Sequence, residues 1–220
     1  MQITLPSGTN AVIEKPISKQ NKLGLVVIPD VMGLRPLFYD MVKHLATEWD
    51  VTVCSFELYP GLEHFGVEER LGAASRLEDA LVIGDAIEAA DVIQSDKVAI
   101  LGFCMGGMYT LKSVSSRRFS KHCSFYGMIR VPEAWKSDTQ SEPVSCLEKG
   151  DADSVLAIVG CNDNWTPKED VDLLQSTGVT VASYEGADHG FVHDPSRPAH
   201  RPLDAKDAWI KAKNWILGDS

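Results

Sequence analysis

A cysteine flanked by glycines is the strongest chemical signal in the sequence. The run Val98-Ala-Ile-Leu-Gly-Phe-Cys-Met-Gly-Gly107 predicts a buried strand that turns directly into a helix starting near Met108. A nucleophile on such a strand–turn–helix junction has an unfavourable positive φ, and the residues two positions before and after it must be small. Cys104 would lie at the helix N-terminus, where the dipole and free amide groups favour a thiolate. We therefore predict that Cys104 is a nucleophile and that the Met105 N–H faces a developing oxyanion.

Two loops that follow predicted strands carry the partners that such a cysteine needs. The strand Val155–Gly160 leads to Asp163, and the strand Val179–Tyr184 leads to His189. Loops after parallel strands converge on one edge of the sheet, and the order nucleophile, acid, histidine is the one that this junction requires. His189 would share the thiol proton and later protonate the leaving oxygen. Asp163 would hold the imidazole in the required tautomer and stabilise its cation.

Each of these residues also has a purely structural interpretation. Cys104 could be an inert buried thiol in a glycine-rich turn, Asp163 could close an Asx turn, and His189 could cap the turn before Gly190. Their occurrence on the right strands in the right order favours the catalytic interpretation. Asp188 is a competing acid, but adjacent residues in a chain seldom face each other.

His193 lies four residues after His189 and raises the alternative of a metal site. Two histidines at this spacing share one face only in a helix, and Gly190 and Pro195 disfavour a helix here. No acid accompanies the pair in the pattern that zinc peptidases use. Metal binding is therefore a minor alternative.

The elements that must position these residues alternate between short apolar runs and segments with helical periodicity. The runs lack strict alternation, which is typical of strands buried on both faces in a mostly parallel sheet with helices on both sides. The predicted strands are Leu23–Ile28, Val51–Phe56, Val98–Gly102, Cys123–Tyr126, Val155–Gly160 and Val179–Tyr184, after an edge hairpin of Ile3–Leu5 and Ala11–Glu14. The predicted helical stripes are Leu37/Met41/Val42/Leu45, Leu77/Leu81/Gly84/Ile87 and Ala205/Ala208/Trp209/Ala212/Trp215/Ile216. The least patterned stretch, from Arg130 to Gly150, is interpreted as a long loop or short cap.

Composition narrows the class of protein and its partners. A chain of 220 residues favours one domain over residues 1–220. Its net charge of −10 is spread along the chain, which disfavours nucleic acid and anionic membranes as partners. The N-terminus lacks the pattern of a signal peptide, and five cysteines without C-x-x-C spacing favour free thiols in a reducing cytoplasm. We expect a cytoplasmic monomer or homodimer.

Four stretches resemble the dienelactone hydrolase family, the carboxymethylenebutenolidase-like α/β-hydrolases. They are Ile28-Pro-Asp30-Val-Met-Gly33-Leu, Gly102-Phe-Cys104-Met-Gly-Gly107, Gly160-Cys-Asn-Asp163 and Gly186-Ala-Asp-His189-Gly-Phe191. The resemblance extends from about Leu23 to the last predicted helix. It implies the α/β-hydrolase fold and the hydrolysis of an enol lactone or a related activated ester, with neither a metal nor an organic cofactor.

The resemblance also implies roles for residues outside the predicted triad. Val31 falls where a second backbone N–H completes an oxyanion hole with Met105. Asp30 falls on an acidic position, usually glutamate, that controls ionisation of the nucleophile. His193 occupies the position of an arginine that binds the substrate carboxylate, and a second arginine would correspond to Arg70 or Arg76.

The expected activity is cleavage of small esters or lactones through an acyl-cysteine intermediate. A promiscuous carboxylesterase or thioesterase is the enzymatic alternative. A ligand-binding homologue without catalysis is a further alternative, although such proteins usually lose a member of the triad.

Overall fold

A computed structural model describes residues 1–16 and 23–218 and contains an eight-stranded, mostly parallel sheet. The strand order is β1-β2-β4-β3-β5-β6-β7-β8. The pairs β1/β2 and β2/β4 are antiparallel, and the remaining pairs are parallel. The strands are β1 Gln2–Thr4, β2 Asn10–Glu14, β3 Leu23–Ile28, β4 Thr52–Phe56, β5 Lys97–Phe103, β6 His122–Phe125, β7 Val155–Gly160 and β8 Thr180–Tyr184. The edge hairpin and the six predicted parallel strands are confirmed.

Helices connect the parallel strands and cover both faces of the sheet. They are α1 Pro36–Glu48, α2 Val67–Ala73, α3 Asp79–Ile93, α4 Met105–Lys112, α5 Pro143–Leu147, α6 Lys168–Ser176 and α7 Pro202–Leu217. Short 3-10 helices occupy Ala74–Arg76, Ser113–Ser116, Glu133–Trp135 and Ala152–Ser154. The architecture is that of an α/β-hydrolase with β5 in the middle of the sheet. In the part of the chain that the structure describes, no helix combines the length and the apolar character needed to cross a membrane.

Successive residues of the central strands point into different apolar layers. One layer contains Leu25 and Leu101 with helices α1 and α7, and the other contains Val26 and Ile100 with α3. The predicted stripes on α1 and α7 are confirmed. Met41, Val42 and Leu45 of α1 and the alanines and Ile216 of α7 are buried, and the remaining positions pack partly buried against the same layer.

The predicted stripe on α3 is wrong. Leu81 is 63% exposed, whereas the buried face of this helix consists largely of alanines together with Val82 and two acids, Asp79 and Asp85. Both acids are satisfied inside the protein. Asp79 Oδ1 is 2.7 Å from Lys112 Nζ, and Asp85 accepts a 2.8 Å hydrogen bond from the Thr9 hydroxyl. Polar residues on the packed face therefore shift the helix away from the orientation that hydrophobicity predicts.

The register of the sheet brings the candidate site residues to one edge. Ile28 pairs with Gly102, Phe103 with Phe125, and Gly160 with Tyr184, so the carboxyl ends of β3 and β5 to β8 lie side by side. The loops after these ends carry Asp30, Cys104, Tyr126, Asp163 and His189. Catalytic groups collect at such an edge in parallel α/β sheets.

Candidate active site

Cys104 occupies a strained turn between β5 and α4. Its φ is 55° and its ψ is −117°, a conformation that only the surrounding structure can impose on a residue with a Cβ. A Cβ on Gly102 would lie 2.3 Å from the Gly106 carbonyl oxygen, and a Cβ on Gly106 would lie 2.2 Å from that of Pro29. The positive φ and the need for small residues on both sides, which the sequence predicts, are confirmed.

The close approach at Gly106 brings the loop after β3 against the start of α4. Val31 follows Pro29 and Asp30 in that loop, and Met105 is the first residue of α4. Neither N–H donates a hydrogen bond to any of the described residues. A helix leaves its first amide groups free for a ligand, so both N–H groups are available to an oxyanion.

His189 and Asp163 form a hydrogen-bonded pair next to Cys104. His189 Nδ1 lies 2.8 Å from Asp163 Oδ2, and the other carboxylate oxygen accepts a 2.8 Å hydrogen bond from the Trp165 N–H. The Asp163 side chain is buried and that of His189 is 12% exposed. This geometry favours Asp163 over Asp188 as the acid, because Asp188 accepts a hydrogen bond from the backbone N–H of His189 and not from its ring.

Charge near His189 determines its protonation. Burial alone would lower the pKa of His189, but the negative charge of Cys104 and the hydrogen bond to Asp163 outweigh it and raise the pKa to about 10. The site therefore favours the imidazolium form of His189. His189 Nε2 is buried and has no hydrogen-bond partner among the described residues, which leaves this nitrogen free for the reaction.

A cavity of about 370 Å³ opens onto these groups. Cys104 and His189 form its floor, the loop of Val31 forms one side, and Trp135 and Trp165 supply an aromatic wall. Arg35 and Arg197 also line it. The volume and mixed lining suit a small organic molecule with one or two polar groups.

Beside the cavity, Asp30 is the centre of a buried hydrogen-bond network. Arg35 contacts both of its carboxylate oxygens, at 2.6 and 2.9 Å, and the Met32 N–H donates to Oδ1 at 3.0 Å. His193 Nε2 lies 2.8 Å from Oδ2, and His193 Nδ1 lies 2.5 Å from the Tyr126 hydroxyl. Burial would raise the pKa of Asp30, but the hydrogen bonds from His193 and Arg35 hold it well below its ordinary value.

His193 is a neutral link in this network. Burial lowers its pKa despite the neighbouring carboxylate of Asp30. A neutral ring that serves both contacts donates from Nε2 to Asp30 and accepts at Nδ1 from the Tyr126 hydroxyl. Both ring nitrogens are thus engaged by the protein, which disfavours a metal site shared with His189.

Comparison with known proteins agrees with this architecture and site. The sequence model of the dienelactone hydrolase family matches residues 9–218. The chain belongs to the dienelactone hydrolase family. It is 28% identical, over 92% of its length and 88% of the relative's, to a Bradyrhizobium protein named "Probable 2-oxo-3-(5-oxofuran-2-ylidene)propanoate lactonase". It is 25% identical to a Synechocystis protein whose name gives carboxymethylenebutenolidase as its assigned activity, over 86% of this chain and 83% of that one.

Solved structures show the same fold. A crystal structure from Klebsiella pneumoniae subsp. pneumoniae MGH 78578, described as a dienelactone hydrolase, superposes with a TM-score of 0.88 at 22% identity. The match covers 100% of this chain and 98% of the other. A dienelactone hydrolase-like promiscuous phosphotriesterase from metagenomic libraries gives a TM-score of 0.71 at 15% identity, covering 99% of this chain and 96% of that one. Membership of the dienelactone hydrolase family makes the protein a hydrolase that acts on esters or lactones.

Three residues expected from the family resemblance to bind a substrate carboxylate do not reach the cavity as free groups. The Arg70 side chain is 3% exposed and lies 2.7 Å from Glu57 Oε1, with further hydrogen bonds to the Phe65 and Glu63 carbonyls. Arg76 is exposed at the end of the 3-10 helix Ala74–Arg76, outside the cavity lining. His193 is buried against Asp30. The geometry therefore argues against all three as substrate-binding residues.

The role expected for Asp30 also changes. Among the described residues, its carboxylate bonds to Arg35, Met32 and His193 and not to the sulfur of Cys104. With these partners the carboxylate anchors its own loop, next to the free Val31 N–H.

Sequence reasoning missed Arg35, Trp135, Trp165 and Arg197. Arg35 directly follows the motif that contains Asp30, and Trp165 follows Asp163 by two residues, so proximity to predicted site residues was an available signal for both. Trp135 and Arg197 lie in segments without regular periodicity, and only the tertiary fold brings them to the cavity.

Proposed function

We propose that the protein hydrolyses small esters or lactones through a Cys104–His189–Asp163 triad and an acyl-cysteine intermediate. The observation that carries this proposal is the placement of Cys104 in a strained turn, beside a histidine oriented by a buried carboxylate. Family membership supports the ester or lactone as substrate. The proposed location is the cytoplasm, where the nucleophilic thiol stays reduced.

In the first half-reaction the Cys104 thiolate attacks the substrate carbonyl carbon. The carbonyl oxygen becomes an oxyanion that the N–H groups of Val31 and Met105 bind. The bond to the alkoxide oxygen then breaks as His189 transfers its proton to that oxygen. The products are a thioester on Cys104, a neutral His189 and an alcohol, which remains attached to the acyl chain when the substrate is a lactone.

In the second half-reaction water attacks the thioester carbon while His189 accepts a proton from the water. Collapse of the intermediate breaks the carbon–sulfur bond and releases the carboxylic acid. The thiolate and the imidazolium are thereby restored. Asp163 keeps Nδ1 protonated throughout, so Nε2 is the atom that gives and receives the proton.

The test is a panel of activated esters and lactones assayed with the native protein and with Cys104→Ala. We expect the variant to lose on the order of 10⁴-fold or more in kcat, as removal of a catalytic nucleophile does elsewhere. Cys161→Ser is the matched control, because Cys161 is exposed on the same edge of the sheet but points to Glu185, 3.5 Å away.

Peptide mapping after limited iodoacetamide treatment provides a second readout. Cys54 and Cys123 are buried, which raises the pKa of both thiols, and burial and then Glu185 raise the pKa of Cys161. Cys104 should therefore be alkylated first, with activity lost in parallel. Full activity after complete alkylation of Cys104 would exclude the acyl-cysteine mechanism.

A further inference from the structure

A second, open cavity of about 670 Å³ adjoins the catalytic cavity at His189. Trp165, His189 and Arg197 line both cavities, whereas Cys104 and Val31 line only the first. His189 thus separates a compartment that contains the nucleophile from one that does not. In the proposed reaction His189 protonates the leaving oxygen, so the group attached to that oxygen points toward the second compartment.

Trp165 is fixed beside the proton donor by two contacts. Its backbone N–H donates to Asp163 at 2.8 Å, and its ring stacks on Trp135 with centroids 5.6 Å apart and an interplanar angle of 26°. The indole centroid is 6.2 Å from that of His189. Trp165 is nevertheless 44% exposed, so part of an immobilised aromatic surface faces solvent next to the reacting atoms.

Arg197 is the unpaired cation at this junction. Its guanidinium packs over Gly190, where a Cβ would lie 2.6 Å from Nη1. It makes no side-chain hydrogen bond or ion pair with the described residues, in contrast to Arg35, paired with Asp30, and Arg201, paired with Asp204. A guanidinium is planar and stacks on π-electron groups in addition to carrying charge.

We propose that Trp165 and Arg197 form the leaving-group site, and that they select esters whose leaving group is a flat conjugated ring or enol. This inference rests on the proposed function. A flat group covers the exposed indole surface and stacks on it, whereas a saturated, three-dimensional alcohol contacts it only along an edge. The guanidinium also stabilises the negative charge that develops on a phenolate or enolate oxygen.

The experiment compares phenyl acetate with hexafluoroisopropyl acetate, which have the same acyl group and leaving groups of similar acidity but different shape. The quantity measured is the kcat/KM for phenyl acetate divided by the kcat/KM for hexafluoroisopropyl acetate. Trp165→Leu should lower this ratio about tenfold, and Trp165→Phe should retain most of it. Leu203→Ala, which removes an exposed side chain on α7 away from both cavities, should leave the ratio unchanged.

Arg197 is tested in the same assay. Arg197→Gln should lower the ratio severalfold, and Arg197→Lys should not restore it, because an ammonium group keeps the charge but loses the plane. Full restoration by lysine would show that charge alone acts there and would overturn the shape selectivity assigned to Arg197. An equal fall for both esters in Trp165→Leu would overturn the inference for Trp165.

The controls separate this inference from the proposed function. If cleavage of hexafluoroisopropyl acetate depends on Cys104, the proposed function stands. If the ratio is also unchanged in Trp165→Leu, the leaving-group site is refuted. If neither ester is cleaved, the proposed function fails. Calorimetric binding of phenol and cyclohexanol to Cys104→Ala then tests the leaving-group site by itself. The site is supported if Cys104→Ala binds phenol more tightly than cyclohexanol and the Cys104→Ala/Trp165→Leu protein does not. Equal binding of the two alcohols to Cys104→Ala refutes the site.

Discussion

At the scale of single residues, the protonation of His189 depends on groups from two other loops. Asp163 reaches it from the loop after β7, and Cys104 reaches it from the turn after β5. Burial favours the neutral ring, and these two negative groups reverse that preference. The resulting imidazolium can protonate a leaving oxygen at neutral pH, when a free histidine would be largely deprotonated.

The acylation rate should therefore depend on pH through His189. Because the pKa is raised, the imidazolium is present at neutral pH and is lost as the pH rises through about 10. Burst kinetics with phenyl acetate should show acylation that falls as the pH rises through about 10. A fall centred near pH 6.5, the ordinary value for histidine, would mean that the thiolate and Asp163 do not stabilise the cation.

Two aspartate variants test which acid orients the imidazole. Asp163→Asn should slow acylation by roughly 10²- to 10⁴-fold, because it removes the group that fixes the tautomer. Asp188→Asn is the matched control and should change the rate only a few-fold, since Asp188 contacts only the backbone N–H. Equal losses in the two variants would contradict the role of Asp163.

The limits of sequence reasoning at this scale are seen at His193 and Arg70. Cys104, Asp163 and His189 lie in short patterns whose spacing reflects local geometry, and the structure brings all three to one edge of the sheet. His193 instead takes its role from Asp30, which is 163 residues away in the chain. Arg70 is neutralised by Glu57, whose position relative to it depends on packing of the loop between β4 and α2. A long-range partner cannot be inferred from one sequence.

At the scale of elements, a buried ion pair supports the loop after β3. Glu57 Oε2 accepts the Leu34 N–H at 2.9 Å, while Oε1 lies 2.7 Å from Arg70. Gly33 lies directly on the pair, since a Cβ there would be 2.2 Å from Glu57 Oε1. The pair thus fixes the loop that carries the Val31 N–H from the side opposite to Asp30.

Arg70→Met should lower the free energy of unfolding by about 3–5 kcal/mol, because it leaves the Glu57 carboxylate buried and unpaired. Urea unfolding measures the loss. Arg118→Met is the control: its pair with Asp91 is 29% and 63% exposed, and it should cost less than about 1 kcal/mol.

The double variant Glu57→Leu/Arg70→Met separates stability from loop positioning. Removing both charges should recover much of the stability. It should nevertheless lower kcat, since the Leu34 N–H loses its Glu57 acceptor in this variant. A stable double variant with the native kcat would show that the ion pair contributes only stability.

Strand positions were predictable because buried parallel strands have a simple signature, a short apolar run between turn residues. β3 and β7 begin and end at the predicted residues. The orientation of α3 was not predictable, because alanines carry a weak hydrophobic signal and the paired acids Asp79 and Asp85 look like surface residues in sequence. Hydrophobic periodicity fails where buried polar groups are satisfied by partners from other elements.

At the scale of the whole molecule, one sheet links the catalytic edge to every helix layer. The segment between β6 and β7 is the least regular part, yet it is tied to the layer of α3 and α4. The Asp79 N–H donates to the Thr139 carbonyl, and Asp79 Oδ2 accepts the Ser141 N–H at 2.7 Å. Asp79 Oδ1 lies 2.7 Å from Lys112 Nζ on α4. Trp135, which supports Trp165, belongs to this segment.

We propose that the chain is one cooperative unit, and the Lys112–Asp79 pair offers a test of that proposal. The Lys112 side chain is fully buried, so Lys112→Met leaves the carboxylate of Asp79 without its cation and should cost about 3–5 kcal/mol. That is a large share of the roughly 5–15 kcal/mol by which domains are stable. The loss should lower the urea midpoint without changing the slope of the transition, because all layers unfold together.

Lys168→Met is the control for that experiment: its pair with Asp172 is 82% and 56% exposed and screened by solvent, so this variant should keep the native urea midpoint. Tryptophan fluorescence and far-ultraviolet circular dichroism should report the same midpoint in each protein. Trp135 packs in the layer of α3 and stacks on Trp165. Trp209, on α7, packs in the other layer. If Lys112→Met splits the transition or lowers its slope, the segment between β6 and β7 unfolds separately. The aromatic wall of the cavity would then open independently of the sheet, contrary to the single cooperative unit proposed here.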